Sequence, residues 1–586
     1  MKLLLTNNTR PRKRRGAKRF RRRGTAYIIV LGASLLIATF AMAGILSIRV
    51  ERNSLRDSLD RQQAIYNAQA GLDLALYKIR ENRSSWRNLD WDTTVFSADS
   101  RFSLALVDPV DGDLTDSAFD PVVLIASGLE GDTVQKLRIR LEPEVTGYDS
   151  MQSALHSAAD IQLDQTTLAG SGEISADNLV DIRSSSTVSH NTSSSLTPVS
   201  DDSSTFQGKT GSTGTWPRSM PSSSSVVSAY SSGATRINLA SLYLSDHDDD
   251  RITNSVFSNL TGWTAMGCQL AEGVVSAYVT KRTGDDTGIA QDVTSLIYSG
   301  DQYRLEAWVK NLNRDDCKGF VHLRVESTGS GVQFFSSPSV ECKSDEWTRV
   351  TGDVSPAWTG DITSVHWMVT MTHDTEAASA IEYQVYDPDL FDRTYPDQAY
   401  VLRNQLLTPQ SNPFGVAPGD DAGVYILDCA GNQVIITDSR LNGTLVLENS
   451  ANASITGSVS MESAGRSYPV IVAADSLSFD LAADSLEESA IRTNLNPTGS
   501  PFSRLTDTDQ SDSYPSKMRG IVYIGGKLVV GGSVTVDGVV LAADFSAANA
   551  TFNLNYDERY YLDPPPGFRD DPDMVVAPGG IRQYVD

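Results

Sequence analysis

Eleven Lys and Arg residues among positions 1–24 are followed by 24 uncharged residues, Thr25 to Ile48. As a helix rising about 1.5 Å per residue, that segment reaches roughly 36 Å, enough to cross a bilayer core of about 30 Å. Lys and Arg beside a membrane helix stay on the cytoplasmic side. The expected location is therefore the cell membrane, single pass, with the N-terminus cytoplasmic and residues from 49 onward outside. A cleaved secretory signal usually has a shorter apolar region ending at small residues, whereas this one continues into further helix. Ile65, Ala68, Leu72, Leu76 and Ile79 recur at spacings of three and four. This predicts one unbroken helix from about Ala26 to Arg80, with an apolar stripe on its second half.

The formal net charge is −24, and setting aside the eleven N-terminal cations leaves −35 on residues 25–586. Such an exterior repels phosphate backbones, so no nucleic-acid partner is expected. With 586 residues the chain exceeds what one hydrophobic core organises and implies several domains. The fold class read from the sequence is mainly β: the N-terminal transmembrane helix, then a β-helix-like solenoid with an inserted β-sandwich jelly roll. The expected segments are a basic leader (1–24), the helix (25–82), a β-rich region with the first part of the solenoid (83–183), a Ser/Thr-rich linker (184–250), the jelly roll (251–395) and a solenoid-like C-terminal domain (396–586). The linker rests on composition, because Ser, Thr, Gly and Pro bury little apolar area. The solenoid rests on short β-rich segments such as Gly443-Thr444-Leu445-Val446-Leu447 and Gly526-Lys527-Leu528-Val529-Val530. Strands this short gain a core only by stacking. Pro564-Pro565-Pro566-Gly567 is expected to end strand addition.

Within 251–395, side chains alternate across each strand. Tyr303, Leu305, Ala307 and Val309 point inward in this reading, which turns Arg304, Glu306 and Trp308 outward; Val321, Leu323 and Val325 inward turn His322, Arg324 and Glu326 outward. An aromatic ring among charged groups suits a sugar, whose ring face stacks while its hydroxyls take hydrogen bonds. Cys317 and Cys342 are equidistant from a turn at Gly329-Ser330, so antiparallel pairing sets them opposite each other, within reach of a disulfide. The pairing of Cys268 and Cys429 is open.

Two family resemblances follow. Arg21-Arg22-Arg23-Gly24, the long apolar helix and Ala68-Gln69-Ala70-Gly71 make the N-terminus resemble that of type IV minor pilins. The resemblance implies processing between Gly24 and Thr25, and other pilin or pseudopilin subunits as partners. Ile29 stands at mature position five, where most pilins carry the Glu that docks a subunit into a filament; some minor pilins and pseudopilins at filament tips lack it. Gly262-Trp263, Tyr278-Val279-Thr280-Lys281-Arg282, Tyr303-Arg304-Leu305-Glu306-Ala307-Trp308-Val309-Lys310 and Trp347-Thr348-Arg349-Val350-Thr351-Gly352 resemble, in order and spacing, the jelly-roll carbohydrate-binding modules of families four, nine and twenty-two. That resemblance implies a polysaccharide partner, with ligand roles for Trp308 and Arg282. It also implies a structural calcium at Asp387, whose hard oxygen donors suit that ion. Thr283-Gly284-Asp285 follows Arg282, where the family often has a Trp.

For enzymes the chain offers little. Gly208-Lys209-Thr210 lacks the glycine a phosphate loop needs upstream, and neither a His-Glu-x-x-His nor a Gly-x-Ser-x-Gly motif occurs. The expected protein is a membrane-anchored, minor-pilin-like surface protein that binds polysaccharide for adhesion or substrate capture. The alternatives are a surface glycoside hydrolase or polysaccharide lyase carrying the module, and a structural component whose jelly roll is a spacer.

Overall fold

The computed structural model describes residues 25–83, 85–89, 91, 94–95, 100–212, 216–411, 413–414, 423–465 and 468–584. Gly24 and the basic leader lie outside them. The chain forms two compact units, Met1–Glu144 with Asp571–Asp586, and Val145–Asp570.

The first unit is built on one helix, Thr25–Glu81. Between Tyr27 and Leu55 its apolar side chains are exposed, and it is long and apolar enough to cross a membrane, a description that a signal sequence also meets. Its second half packs on an antiparallel sheet ordered Thr94–Val95, Ser100–Val107, Val122–Glu130, Thr133–Glu144 and Asp573–Val576. Ala64, Ala68, Leu72, Ala75 and Ile79 are buried there, while Ile65 and Leu76 are only half-buried. The stripe is thus centred on small residues, which let helix and sheet backbones approach closely. Asn67 Nδ2 donates to Leu129 O at 2.8 Å and to Ser100 Oγ at 3.0 Å, satisfying the amide in the seam. Residues 83–183 were expected to hold a β-rich region and the first part of the solenoid. The described strands between Thr94 and Glu144 form this separate sheet, to which the Asp573–Val576 strand also pairs, and the solenoid begins after it.

The second unit is a parallel stack with three faces. On one face the rungs run Thr235–Ile237, Val424–Asp428, Thr444–Glu448, Pro469–Ala473 and into Lys517–Tyr556, then Leu155–Ser157, Glu173–Ala176 and Asn191–Ser194. The stacking order is therefore not the chain order: the C-terminal rungs lie between the N-terminal ones and the jelly roll. Val, Leu and Ile from most rungs fill one continuous core, which also holds the stacked rings of Phe545 and Phe552 with centroids 5.8 Å apart.

The Ser/Thr-rich stretch is part of this stack, which corrects the expected linker. Thr187–Val188, Asn191–Ser194, Val199–Ser200, Thr205–Phe206 and Thr210–Gly211 all pair in parallel with neighbouring rungs. Composition missed them because a rung needs only one or two inward apolar residues, here Val188 beside Leu168 and Ile182. The hydroxyls are satisfied internally: Ser186 Oγ donates to Arg183 O at 2.5 Å and accepts from Thr166 N at 3.1 Å. Residues 223–231 then form a helix capped by Ser222, which accepts from Ser225 N at 3.2 Å.

The jelly roll is inserted where Tyr243–Leu244 pairs antiparallel with Tyr400–Val401. Its five-stranded sheet is ordered Gln269–Glu272, Ala277–Thr280, Tyr383–Asp392, Tyr303–Asn311 and Trp347–Val354. Its six-stranded sheet is ordered Trp263–Met266, Gly288–Asp292, Ile362–Thr372, Cys317–Ser327 and Gly331–Ser336, with Val340–Cys342 also on the Cys317–Ser327 strand. The inward residues Tyr303, Leu305, Ala307 and Val309 meet Val321, Leu323 and Val325 in one core, as the alternation predicts. Arg403 ties the insert to the solenoid. Its guanidinium lies 3.3 Å from Asp301 Oδ2 and 3.8 Å from Asp392 Oδ2, with the Tyr243 and Tyr298 rings 4.5 and 4.9 Å away.

Candidate functional site

The solvent side of the five-stranded sheet carries two bands. In the charged band Arg304 meets Asp353 bidentately at 2.8 and 3.0 Å, and Arg349 pairs with Glu306, Nη2 to Oε2 at 2.6 Å. The Arg349 fork satisfies both oxygens of buried Glu306. Beside it lies the aromatic band. Trp308, half-buried, faces Arg349 on one neighbouring strand and Tyr386 on the other. Trp347 is 41% exposed, and its ring meets Tyr386 edge-on with centroids 5.9 Å apart. Tyr278 continues the band across Gln384. Flat rings backed by a sheet and flanked by fixed donors and acceptors are what a sugar chain needs.

Residues 249–376 match the family model described as a carbohydrate binding domain. This stretch is similar to carbohydrate-binding modules. Similar solved structures include the CBM22-1 xylan-binding domain of Paenibacillus barcinonensis Xyn10C, at 15% identity and TM-score 0.22, covering 26% of this chain and 99% of that one. The C-terminal family 22 carbohydrate-binding module of Clostridium thermocellum Xyn10B matches at 14% identity and TM-score 0.22, covering 26% and 99%. A structure titled for family 4 module structure and function matches at 17% identity and TM-score 0.19, covering 23% and 99%. No curated protein matches the chain.

The structure separates the residues that the sequence grouped. Arg304, Glu306 and Trp308 share the face described, but His322 and Arg324 stand on the outer side of the other sheet, across the core, so they do not join Trp308. Both strands do alternate as read; the core between them puts their outward sets on opposite surfaces. Arg282 is also corrected: it is 1% exposed and donates to the carbonyls of Thr287 (2.8 Å), Asp285 (2.8 Å), Gly284 (3.3 Å) and Met371. Four of its five N–H groups are spent on backbone carbonyls, and its burial keeps the guanidinium from the solvent side where a ligand would sit. Trp347, Tyr386 and Arg349 were missed as site residues. The same alternation that found Trp308 selects them once strand neighbours are known.

Asp387 sits in a bulge where pairing with the Tyr303–Asn311 strand shifts register, with φ at +49°. Burial first, then the charges of Asp250, Asp387 and Glu306, push the Asp389 carboxyl up to about 7.

Cys317 and Cys342 are directly opposed, as expected, and both are free thiols in the structure, not the expected disulfide. The route between them differs: Ser327 pairs with Gly331, and the register slips by one residue before Val340. Pro338 lies in the slip and has no N–H for the ladder.

His322 is buried, with Nδ1 2.6 Å from Ser336 Oγ and Nε2 2.6 Å from Thr370 Oγ1. Burial lowers its pKa to about 4. The unfolded chain binds the proton more readily, so this stabilisation is complete above pH 6.5 and is lost as pH falls toward 4. Between pH 7.5 and 5 the module should lose about 2 kcal/mol through this group. Thermal unfolding across that range checks it: His322→Gln should flatten the slope of the midpoint against pH.

Proposed function

We propose that the protein is a membrane-anchored surface protein that binds polysaccharide, without catalysis, through the aromatic face of its inserted module. The observation that carries this reading is the band of Trp308, Trp347 and Tyr386 beside ion-paired Arg304, Glu306, Arg349 and Asp353, on a segment matched to a carbohydrate-binding family. The pilin-like part of the reading is supported by the helix Thr25–Glu81, bare and apolar in its first half and seated on an antiparallel sheet in its second. It places the protein among pilin or pseudopilin subunits, with cleavage between Gly24 and Thr25. A calcium ion would be held by Asp387 with Asp250 and Asp389, bracing the bulged strand. In an oxidising exterior, facing Cys317 and Cys342 would close a disulfide.

The test is binding of the full-length protein to a panel of plant, algal and bacterial polysaccharides. Saturable binding is expected, with Trp308→Ala and Trp347→Ala each weakening it at least tenfold, about 1.4 kcal/mol per ring. Binding to no glycan, or equal binding by the variants, overturns the reading and leaves the jelly roll a spacer.

A further inference from the structure

Between its apolar span and the sheet, the long helix runs exposed. Seven charged residues fall between Arg49 and Arg61. In and just beyond this stretch three large apolar side chains still face outward: Leu55 (61% exposed), Leu59 (65%) and Tyr66 (52%). Successive helical residues are turned by about 100°, so these three lie within about 40° of one another. Ala64, Ala68 and Ala75, buried against the sheet, lie about half a revolution away. The helix thus carries two apolar stripes, and its own sheet uses only one.

The exposed stripe keeps the 3.5-residue repeat of a coiled-coil seam. With Leu55 at d and Leu59 at a, Ile48 is the preceding d and Tyr66 the following a. Continued into the apolar span, the same track meets Ile45, Ala41, Ala38 and Ser34, and small residues let membrane helices approach closely. Arg52 and Gln62 are its long polar members; Gln62 Nε2 donates to Tyr66 OH at 3.0 Å along the stripe. Charge fits the same register. In a parallel pair the g residue of one helix meets the next e residue of the other. Glu51 is g and Arg56 is e, so each Glu51 meets the other copy's Arg56 and flanks its Arg52. Within its own helix Arg56 Nε is 3.9 Å from Asp60 Oδ2, a loose pairing that leaves it available.

We propose that two copies of this chain pair in parallel through the Ile48, Leu55, Leu59 and Tyr66 stripe, as a short coiled coil between membrane and sheet. The pairing rests on the membrane anchoring proposed above, which makes both helices parallel and raises their effective concentration. Ile48 to Tyr66 spans about 27 Å, short for a coiled coil alone. Here the helix is already held at one end by the bilayer and at the other by its sheet, so little ordering opposes association.

The test uses the full-length protein in its membrane. Leu55→Cys and Leu59→Cys should each give a covalent dimer under mild oxidation, whereas Asp57→Cys, on the far side of the helix, and wild type should not. In detergent, Leu55→Glu with Leu59→Glu should weaken the dimer at least about tenfold. Glu51→Arg should weaken it too, and adding Arg56→Glu should restore it. A protein that stays in the membrane fraction yet is monomeric overturns the pairing. So does cross-linking through position 57 as strong as through 55 and 59, or cross-linking only to a different anchored protein. Absence from the membrane fraction overturns the anchoring as well.

Discussion

Replacing Gly128 with alanine is expected to pry the second half of the long helix off its sheet, lowering the stability of that unit by about 3 kcal/mol or more. Gly128 lies in the Val122–Glu130 strand directly beneath the helix. A methyl group there would overlap the Ala64 carbonyl oxygen and lie 2.5 Å from Ala68 N. Both obstacles are backbone in a continuous helix, so neither can swing aside as a flexible side chain would. Relief requires helix and sheet to separate, which exposes Ala64, Ala68 and Leu72 and breaks the Asn67 bond to Leu129 O. The measurement is a thermal melt of the full-length protein with limited proteolysis. Gly128→Ala should melt earlier and be cut within residues 56–81 at temperatures where wild type is intact, while glycan binding by the module is unchanged. A wild-type melt and cleavage pattern would show that the seam has slack.

The second large effect is expected at Arg282. Arg282→Leu removes a buried guanidinium and leaves the carbonyls of Thr287, Gly284, Asp285 and Met371 without their donor. Its ring neighbour Tyr383, 5.5 Å from the guanidinium, and Met371 are buried, whereas Gly284, Asp285 and Thr287 belong to a turn at the surface. Orphaning the buried Met371 carbonyl costs about 1–3 kcal/mol, and the turn loses the group that gathers its other three carbonyls, giving a total of about 2–4 kcal/mol. The variant should therefore lose the folded module, seen as lost near-ultraviolet dichroism and early melting, with glycan binding falling only as the fold does. A well-folded variant with weakened binding would instead make Arg282 a ligand residue, as the family resemblance implies.

The contrast between Arg282 and Trp308 shows where sequence reasoning succeeds. Trp308 was legible because alternation along one strand fixes which side chains leave the core, and Tyr303, Leu305, Ala307 and Val309 set that parity unambiguously. Arg282 follows a short strand, in the Lys281-Arg282-Thr283 turn, where Lys281 has φ of +53° and parity no longer says where a side chain goes. His322 and Arg324 were read outward correctly, yet outward from a different sheet. Trp347 and Tyr386 join Trp308 only through pairing between strands distant in sequence.

The N-terminal helix, the β character of the rest and the insertion of a jelly roll were determined by the sequence itself, because each is written in local periodicity: three-to-four spacing over Ile65–Ile79, two-residue alternation over Tyr303–Val309. The tertiary structure alone decided that Ser/Thr-rich residues 187–211 are rungs, that the C-terminal rungs stack between the N-terminal ones and the insert, and which side chains share a face. The physical reason is that a rung with one or two apolar residues has no stability or signature of its own. Its hydroxyls and backbone are satisfied only by neighbours supplied from elsewhere in the chain.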